Sequence, residues 1–251
     1  MAIFAQTVRR ILRPLVPPAL LEARKRILLT KLRRKYSQLS ASATFAEVYK
    51  TNAWGGPPGT FSSGSGSDDA FSIPYCRLVA DFVRSHAVTS IVDLGVGDFR
   101  VGSQLIQLIG DKIIYSGVDI VPELIDYNRA HFESPTVTFH CLNLIDDKLP
   151  AGTLCLLRQV LQHLSNSEIL QALNNCAGFK YTLITEHVTL GSGAARPNID
   201  KPHGPDTRND LLASGVFVDK PPFSLATSVM LEIPLCDNQL LRTVLVERRE
   251  A

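Results

Sequence analysis

The stretch Ile91-Val92-Asp93-Leu94-Gly95-Val96-Gly97-Asp98 constrains this chain more than any other. A short apolar run enters two glycines, and helical spacing resumes at Arg100. A strand that passes into a helix through glycines leaves free N–H groups and no Cβ where a ligand approaches. The same alternation recurs downstream. Strands are expected over 90–94, 113–118, 136–141, 154–157 and 181–185, and helices over 75–85, 100–109, 122–131 and about 167–177. Strands alternating with helices imply right-handed crossovers and a mostly parallel sheet. The runs 229–233 and 240–247, joined through Cys236-Asp237-Asn238, read as a closing antiparallel hairpin.

A glycine turn alone is a weak sign of a ligand. Here the second strand ends at Asp119, 22 residues after Gly97. An acid at that tip can accept hydrogen bonds from both hydroxyls of a ribose. Dinucleotides and S-adenosylmethionine both fit such a pair. The dinucleotide fingerprint needs a third glycine for close approach of helix and sheet, and that position is Arg100.

With its acid inside the turn, Asp93-x-Gly95-x-Gly97 resembles the first motif of class I S-adenosylmethionine-dependent methyltransferases. The further glycine usual in that motif is Phe99 here. The resemblance spans roughly residues 88–190. It implies an α/β, Rossmann-like domain over 70–251, with a seven-stranded mostly parallel sheet and a C-terminal antiparallel hairpin. It also implies S-adenosyl-L-methionine as cofactor. Asp119 then takes the ribose, with Ile120 beside it. Asn143 takes the adenine amino group through its amide oxygen, and Leu142 packs on the ring. Arg158 and Gln159 follow the fourth strand, near the methyl group.

A narrower likeness runs through Phe45, Tyr49, Trp54-Gly55, 63–67 with Ser67, Asn198, Asp200, Gly204, Arg208 and Pro221-Pro222-Phe223. These resemble bacterial methyltransferases of surface-polysaccharide and glycan synthesis. That likeness implies O-methylation of a sugar in a glycan or glycolipid. The rival readings are O- or N-methylation of a small secondary metabolite, and a cofactor-binding protein without catalysis. Such relatives often carry Asp where this chain has Gln159, so a metal held there in them has no ligand here, and none is assigned.

Charge divides the chain. Residues 1–50 hold eleven Lys or Arg against Glu22 and Glu47, a net of +9; with +2 overall, the remainder nets −7. An acidic body argues against broad nucleic-acid binding. The arm places Val8, Ile11, Leu12 and Leu15, then Leu21, Leu28 and Leu32, at helical spacing among basic residues. Over residues 1–35 such a helix can lie on an anionic membrane surface, or pack its leucines on the body or on a second subunit of a homo-oligomer. An organelle transit peptide fits less well, because serine is sparse before Ser37. No apolar run is long enough to span a membrane. Five scattered cysteines form no CxxC pair, so a reducing, cytoplasmic setting is expected, peripheral to the membrane if the arm binds it. Residues 51–69 form a Gly/Ser/Pro segment that holds the only tryptophan, Trp54. An aromatic anchor among glycines reads as a lid over a ligand, or else as a linker.

Methyl transfer to a hydroxyl needs a placed nucleophile and a proton acceptor. Two histidines are candidates. His163 follows the fourth strand, and His187 follows the fifth beside Glu186. Near its ordinary pKa of about 6.5 either would act as a base at neutral pH. The polar loop with Asn198, Asp200, His203 and Arg208 reads as a substrate lip on the surface, or else as a solvated loop. The spacing of Asp200, His203 and Asp206 permits Mg²⁺ or Mn²⁺ without requiring either.

Overall fold

The computed structural model describes residues 18–36, 38–57, 59–191, 196–235 and 238–248. The expected helix around Val8–Leu15 and the Cys236-Asp237 turn lie outside the described residues. So do the side chains of Leu21, Leu28 and Leu32.

The elements run α1 (Pro18–Tyr36), α2 (Ala41–Lys50), α3 (Asp69–Ser85), β1 (Ser90–Leu94), α4 (Arg100–Ile109), β2 (Ile114–Asp119), α5 (Pro122–Phe132), β3 (Val137–Cys141), β4 (Leu154–Arg158), α6 (Asn166–Asn175), β5 (Tyr181–Thr189), α7 (Arg208–Leu212), β6 (Ser228–Pro234) and β7 (Gln239–Glu247). The seven strands form one sheet in the order β3-β2-β1-β4-β5-β7-β6. The first five pair in parallel, and β7 runs antiparallel between β5 and β6. The α/β architecture, the seven strands and the closing hairpin are therefore those expected.

Both faces of the sheet are covered, which is why its central strands are near-continuous apolar runs. Leu154 and Leu156 face a core built with α3 and α4. Cys155 and Leu157 face the opposite core, built with α6 and the segment 216–223.

Three elements differ from expectation. Helix α2 was not foreseen; Ser40 caps it by accepting from the Ala43 N–H at 3.1 Å, and Val48 and Tyr49 are buried. Helix α3 starts six residues before 75, carrying Pro74 inside it. Strand β5 continues past Thr185 to Thr189, because β7 pairs along its whole length after β4 has ended at Arg158. Among the described residues, no helix is long and apolar enough to cross a membrane.

Candidate active site

Strands β1, β2 and β4 end side by side, and a cavity opens at their carboxyl ends, where an open α/β sheet places its ligands. It is lined by Asp93, Gly95, Gly97, Asp119, Ile120, Leu142, Asn143, Arg158, Gln159, Trp54, Ser67 and His163. Every residue expected around the cofactor, and one expected base, thus meets in one space. His187, Asn198, Asp200, His203 and Arg208 are not on its walls.

The turn after β1 is shaped by what its glycines lack. Both have positive φ. A Cβ on Gly95 would lie 2.4 Å from Val160 Cγ2, and one on Gly97 would lie 2.2 Å from Ser63 Oγ. Phe99 adopts the left-handed conformation as well, with φ 60°. Its ring makes an edge contact with Phe139 at 4.8 Å and packs near Tyr115. Gly102 makes room for it, since a Cβ there would meet that ring at 2.5 Å. The departure at Phe99 therefore keeps the backbone of a glycine turn and turns the side chain into the core.

Asp119 is buried. Its Oδ2 accepts from the Gly97 N–H at 3.1 Å and its Oδ1 from the Val121 N–H at 3.2 Å. Burial pushes its carboxyl up to about 6, against the pull of these amides. Burial likewise raises Asp93 to about 6, opposed by the Tyr115 hydroxyl that donates to it and by Arg158. Arg158 lies over the Tyr75 ring, 5.0 Å from its centroid. Its Nε and the Tyr75 hydroxyl are buried without a partner. Both line the cavity, so two unspent polar groups stand beside Asp93. Asn143 is partly spent: its amide oxygen accepts from the Ile145 N–H at 3.1 Å and its amide nitrogen donates to Asp146.

Residues 59–68 lie over the glycine turn rather than away from it. The Ser63 N–H donates to Asp98 Oδ2 at 3.0 Å, and the Asp98 N–H donates to Ser63 Oγ at 2.9 Å. Arg158 donates to the Gly66 carbonyl at 2.6 Å and Arg100 to that of Gly64 at 3.2 Å. Trp54 packs 5.3 Å from Tyr49 and 5.0 Å from His163, centroid to centroid. Its indole N–H donates to the Pro205 carbonyl at 3.2 Å. Segment 51–69 is thus a roof fastened on two sides. Phe45, Tyr49, Ser63, Asp98 and Tyr75 also line the cavity, as does Gln162. Only the glycan-enzyme likeness drew notice to the first three. Asp98 closes the glycine-turn stretch but was given no role there, and nothing local in the sequence marked Tyr75.

His163 sits on the short helical turn Leu161–His163. Its Nδ1 faces the Gly204 carbonyl at 3.2 Å. A carbonyl only accepts, so Nδ1 carries the proton and Nε2 the lone pair. Burial, then the nearby Lys201, lowers the ring to about 3. The ordinary value of about 6.5 expected from sequence therefore does not apply, and the ring is neutral at physiological pH.

His187 lies off the cavity walls, and its Nε2 contacts Gln239 Oε1 on β7 at 2.9 Å. Glu186 and His187 point to opposite faces of the strand, as neighbours must, and the consequential one is Glu186. Its buried carboxyl accepts from the Leu161 N–H at 2.9 Å and the Gln162 N–H at 3.1 Å, and burial pushes it up to about 8. In the sequence Glu186 stood out only as the neighbour of His187, at the end of an apolar run.

The expected lip lies off the cavity walls as well. Asn198 is 6% exposed and ties 196–200 to 217–221, donating to Phe217 and Pro221 carbonyls at 2.9 Å. Asp200 accepts from the Asn166 N–H at 2.8 Å. His203 pairs with Glu168 at 2.7 Å. That bond raises the imidazole. Burial disfavours the Glu168 carboxylate, yet His203 and Ser165 bring it down to about 2. Arg208 is fully buried. Proline and glycine made this loop read as surface, whereas most of its polar groups are consumed internally and His203 Nε2 is buried without a partner. Among the described residues, no group of three His, Cys, Asp or Glu gathers to hold a metal.

No protein-family model and no curated protein matches this sequence. Solved structures do match its fold. The N-terminal domain of EvdMO1, solved in the presence of SAH and D-fucose, aligns with a TM-score of 0.51 at 13% identity over 74% of this chain and 85% of that one. An O-methyltransferase family protein from Burkholderia thailandensis aligns at 0.48 and 14% identity over 72% of this chain. Human N-acetylserotonin methyltransferase, in complex with SAM, aligns at 0.49 and 14% identity over 90% of this chain. The chain spans 58% and 66% of the length of these last two. At such identities the likeness is one of fold.

Proposed function

We propose that this chain transfers a methyl group from S-adenosyl-L-methionine to a hydroxyl of a small acceptor, and that the acceptor is a sugar of a bacterial glycan or glycolipid. One observation carries the reading: a glycine cradle with no room for a Cβ, a buried carboxylate at the next strand tip and a neutral imidazole share a single cavity. The fold neighbour solved with SAH and D-fucose supports both parts. Small-molecule O- or N-methylation is the alternative that the same cavity supports.

The residues present fit the cofactor. Asp119 keeps a lone pair on each oxygen for the ribose hydroxyls. Ile120 and Leu142 offer apolar surface to the adenine, with Asn143 beside them. The unspent Arg158 Nε suits the carboxylate of the amino-acid end, and Asp93 suits its ammonium. When bound, the cofactor supplies an electrophilic methyl group on a sulfonium, so the protein need only orient the nucleophile and accept its proton. His163 is the acceptor in this reading, through Nε2. Its lowered pKa makes it a weak base at equilibrium, which suits a proton that leaves as the new C–O bond forms. Trp54 and the roof exclude water.

Helix α1 bears on where this happens. Leu20, Arg24, Ile27, Lys31 and Arg34 recur at helical spacing and are all exposed, Leu20 at 61% and Ile27 at 58%. Cations interleaved with exposed apolar side chains suit an anionic lipid surface, and a lipid-linked sugar would be presented there.

The test joins two measurements. Calorimetry with S-adenosylhomocysteine should show one site per chain. Methyl-labelled cofactor should then mark a component of a cell-surface glycan extract, and His163→Ala should abolish the labelling while cofactor affinity stays within a few-fold. A chain that does not bind S-adenosylhomocysteine would refute the reading.

A further inference from the structure

The turn Leu161–His163 has six backbone polar groups, and buried ionisable side chains hold five of them. Glu186 accepts from the N–H groups of Leu161 and Gln162 at 2.9 and 3.1 Å. Arg208 donates through Nη1 to the carbonyls of the same two residues, at 3.2 and 3.3 Å. Lys201 donates through Nζ to the His163 carbonyl at 3.3 Å, beside the Gly204 N–H at 2.9 Å. The remaining group, the His163 N–H, donates to Val160 at 3.0 Å. Glu186 and Lys201 are each 2% exposed and Arg208 is fully buried.

A three-residue turn does not need this. Neutral side chains or water satisfy such groups at most turns, and burying ionisable side chains costs stability that their pairing seldom repays. The three come from separate places, β5, the loop before α7 and α7 itself, and converge on the one turn that carries a cavity-lining histidine.

We infer that Glu186, Lys201 and Arg208 form a positioning device for His163, fixing its ring in the Nδ1–H tautomer, whose Nε2 lone pair faces the Gln162 amide nitrogen at 3.4 Å and is the one that can take a proton. The inference rests on the reading of His163 as proton acceptor; none of the three touches the cavity, so none is a catalytic residue.

The surroundings agree. Lys201 and Arg208 are the charged groups that disfavour a protonated ring, after burial itself. Glu186 faces the turn from β5. Asp206, Glu168 and Asp200 act on Lys201 from α6 and the loop. From α2 and the roof the ring meets only Phe45 and Trp54, at 6.4 and 5.0 Å. Burial and the two cations thus disfavour the protonated ring, the Gly204 carbonyl holds the Nδ1 proton, and the Gln162 amide nitrogen faces Nε2 at 3.4 Å.

The test reads the ring itself and needs no acceptor. The full chain is labelled with ring-¹⁵N histidine, and His163→Gln assigns the signal. The wild-type ring should stay a single Nδ1–H tautomer from pH 5 to pH 8, with or without S-adenosylhomocysteine. Glu186→Gln retains the shape but only one acceptor oxygen; Arg208→Lys retains charge but not the fork. In both, the ring should average the two tautomers. Lys201→Met should raise its proton affinity about tenfold or more. Folded variants with an unchanged His163 signal would overturn the device and reduce the three residues to structural staples. So would a wild-type ring that samples both tautomers, whatever the variants do. Calorimetry of S-adenosylhomocysteine on the wild type decides the cofactor reading separately.

Discussion

Asp119 shows how one side chain serves the fold and the proposed ligand in opposite ways. Its two oxygens already hold Gly97 and Val121, so the glycine turn is set before any cofactor arrives. Asp119→Ala removes the charge-assisted hydrogen bonds to the ribose, worth roughly 1.5–3 kcal/mol. Affinity for S-adenosylhomocysteine should fall by about one to two powers of ten, read by calorimetry. pH separates the two roles. Its pKa rises from 3.8 to about 6 in the fold. The ligand-free protein therefore gains from this group below 3.8 and loses that gain as pH rises through 6. Cofactor binding runs the other way, because only the ionised form accepts from both hydroxyls. From pH 7 to pH 5 the affinity should drop about tenfold; a flat profile would show that Asp119 does not meet the ribose. At this scale the turn and its acid were legible, since their spacing is local. Arg208 and Asn198 were not: whether a loop side chain meets substrate or backbone depends on partners some 20 to 45 residues away.

Among the elements, α4 starts with a trade. The left-handed residue is Phe99, and the glycine has moved to Gly102, where the ring needs space. Gly102→Ala should cost about 1–3 kcal/mol by overpacking, seen in urea melts. In a Phe99→Ala background part of that cost should vanish, because the two sites share one volume, while the Tyr115 hydroxyl, 2.7 Å from the added Cβ, keeps the rest; additive losses would refute the trade. Helix α2 escaped the sequence because ten residues with two aromatics carry little periodic signal, and its face is defined only by the cavity it covers. The end of β5 escaped for a related reason, since Glu186-His187 looks like a strand's end until β7 supplies the ladder. The roof was legible as lid or linker from one indole among glycines. Trp54→Phe keeps a ring against His163 but loses the bond to Pro205. S-adenosylhomocysteine should then leave several-fold faster in stopped-flow displacement. An unchanged off-rate would make the roof a mere cover.

The whole molecule was the most legible level, because strand and helix periods alternate over more than a hundred residues and only one kind of sheet accommodates them. Its charge division yields a further prediction. The chain should sediment with vesicles containing anionic lipid, and not with neutral ones, and salt should release it. Arg24→Glu with Lys31→Glu should abolish sedimentation without altering S-adenosylhomocysteine affinity. Binding that survives the double change would dissociate α1 from the membrane.

The roof reaches across the molecule to Arg158, His163 and Pro205, and this bears on how the chain is made. Trp54 leaves the ribosome 109 residues before His163. At bacterial rates that is an interval of roughly 5–20 s. During it Phe45, Tyr49, Trp54 and Phe61 have no floor to pack on, and four aromatic side chains wait in solvent. The roof of this cavity is thus made before its floor and closes after it. A nascent chain halted before β4 should be an attractive client for a chaperone, and one halted after β5 should not.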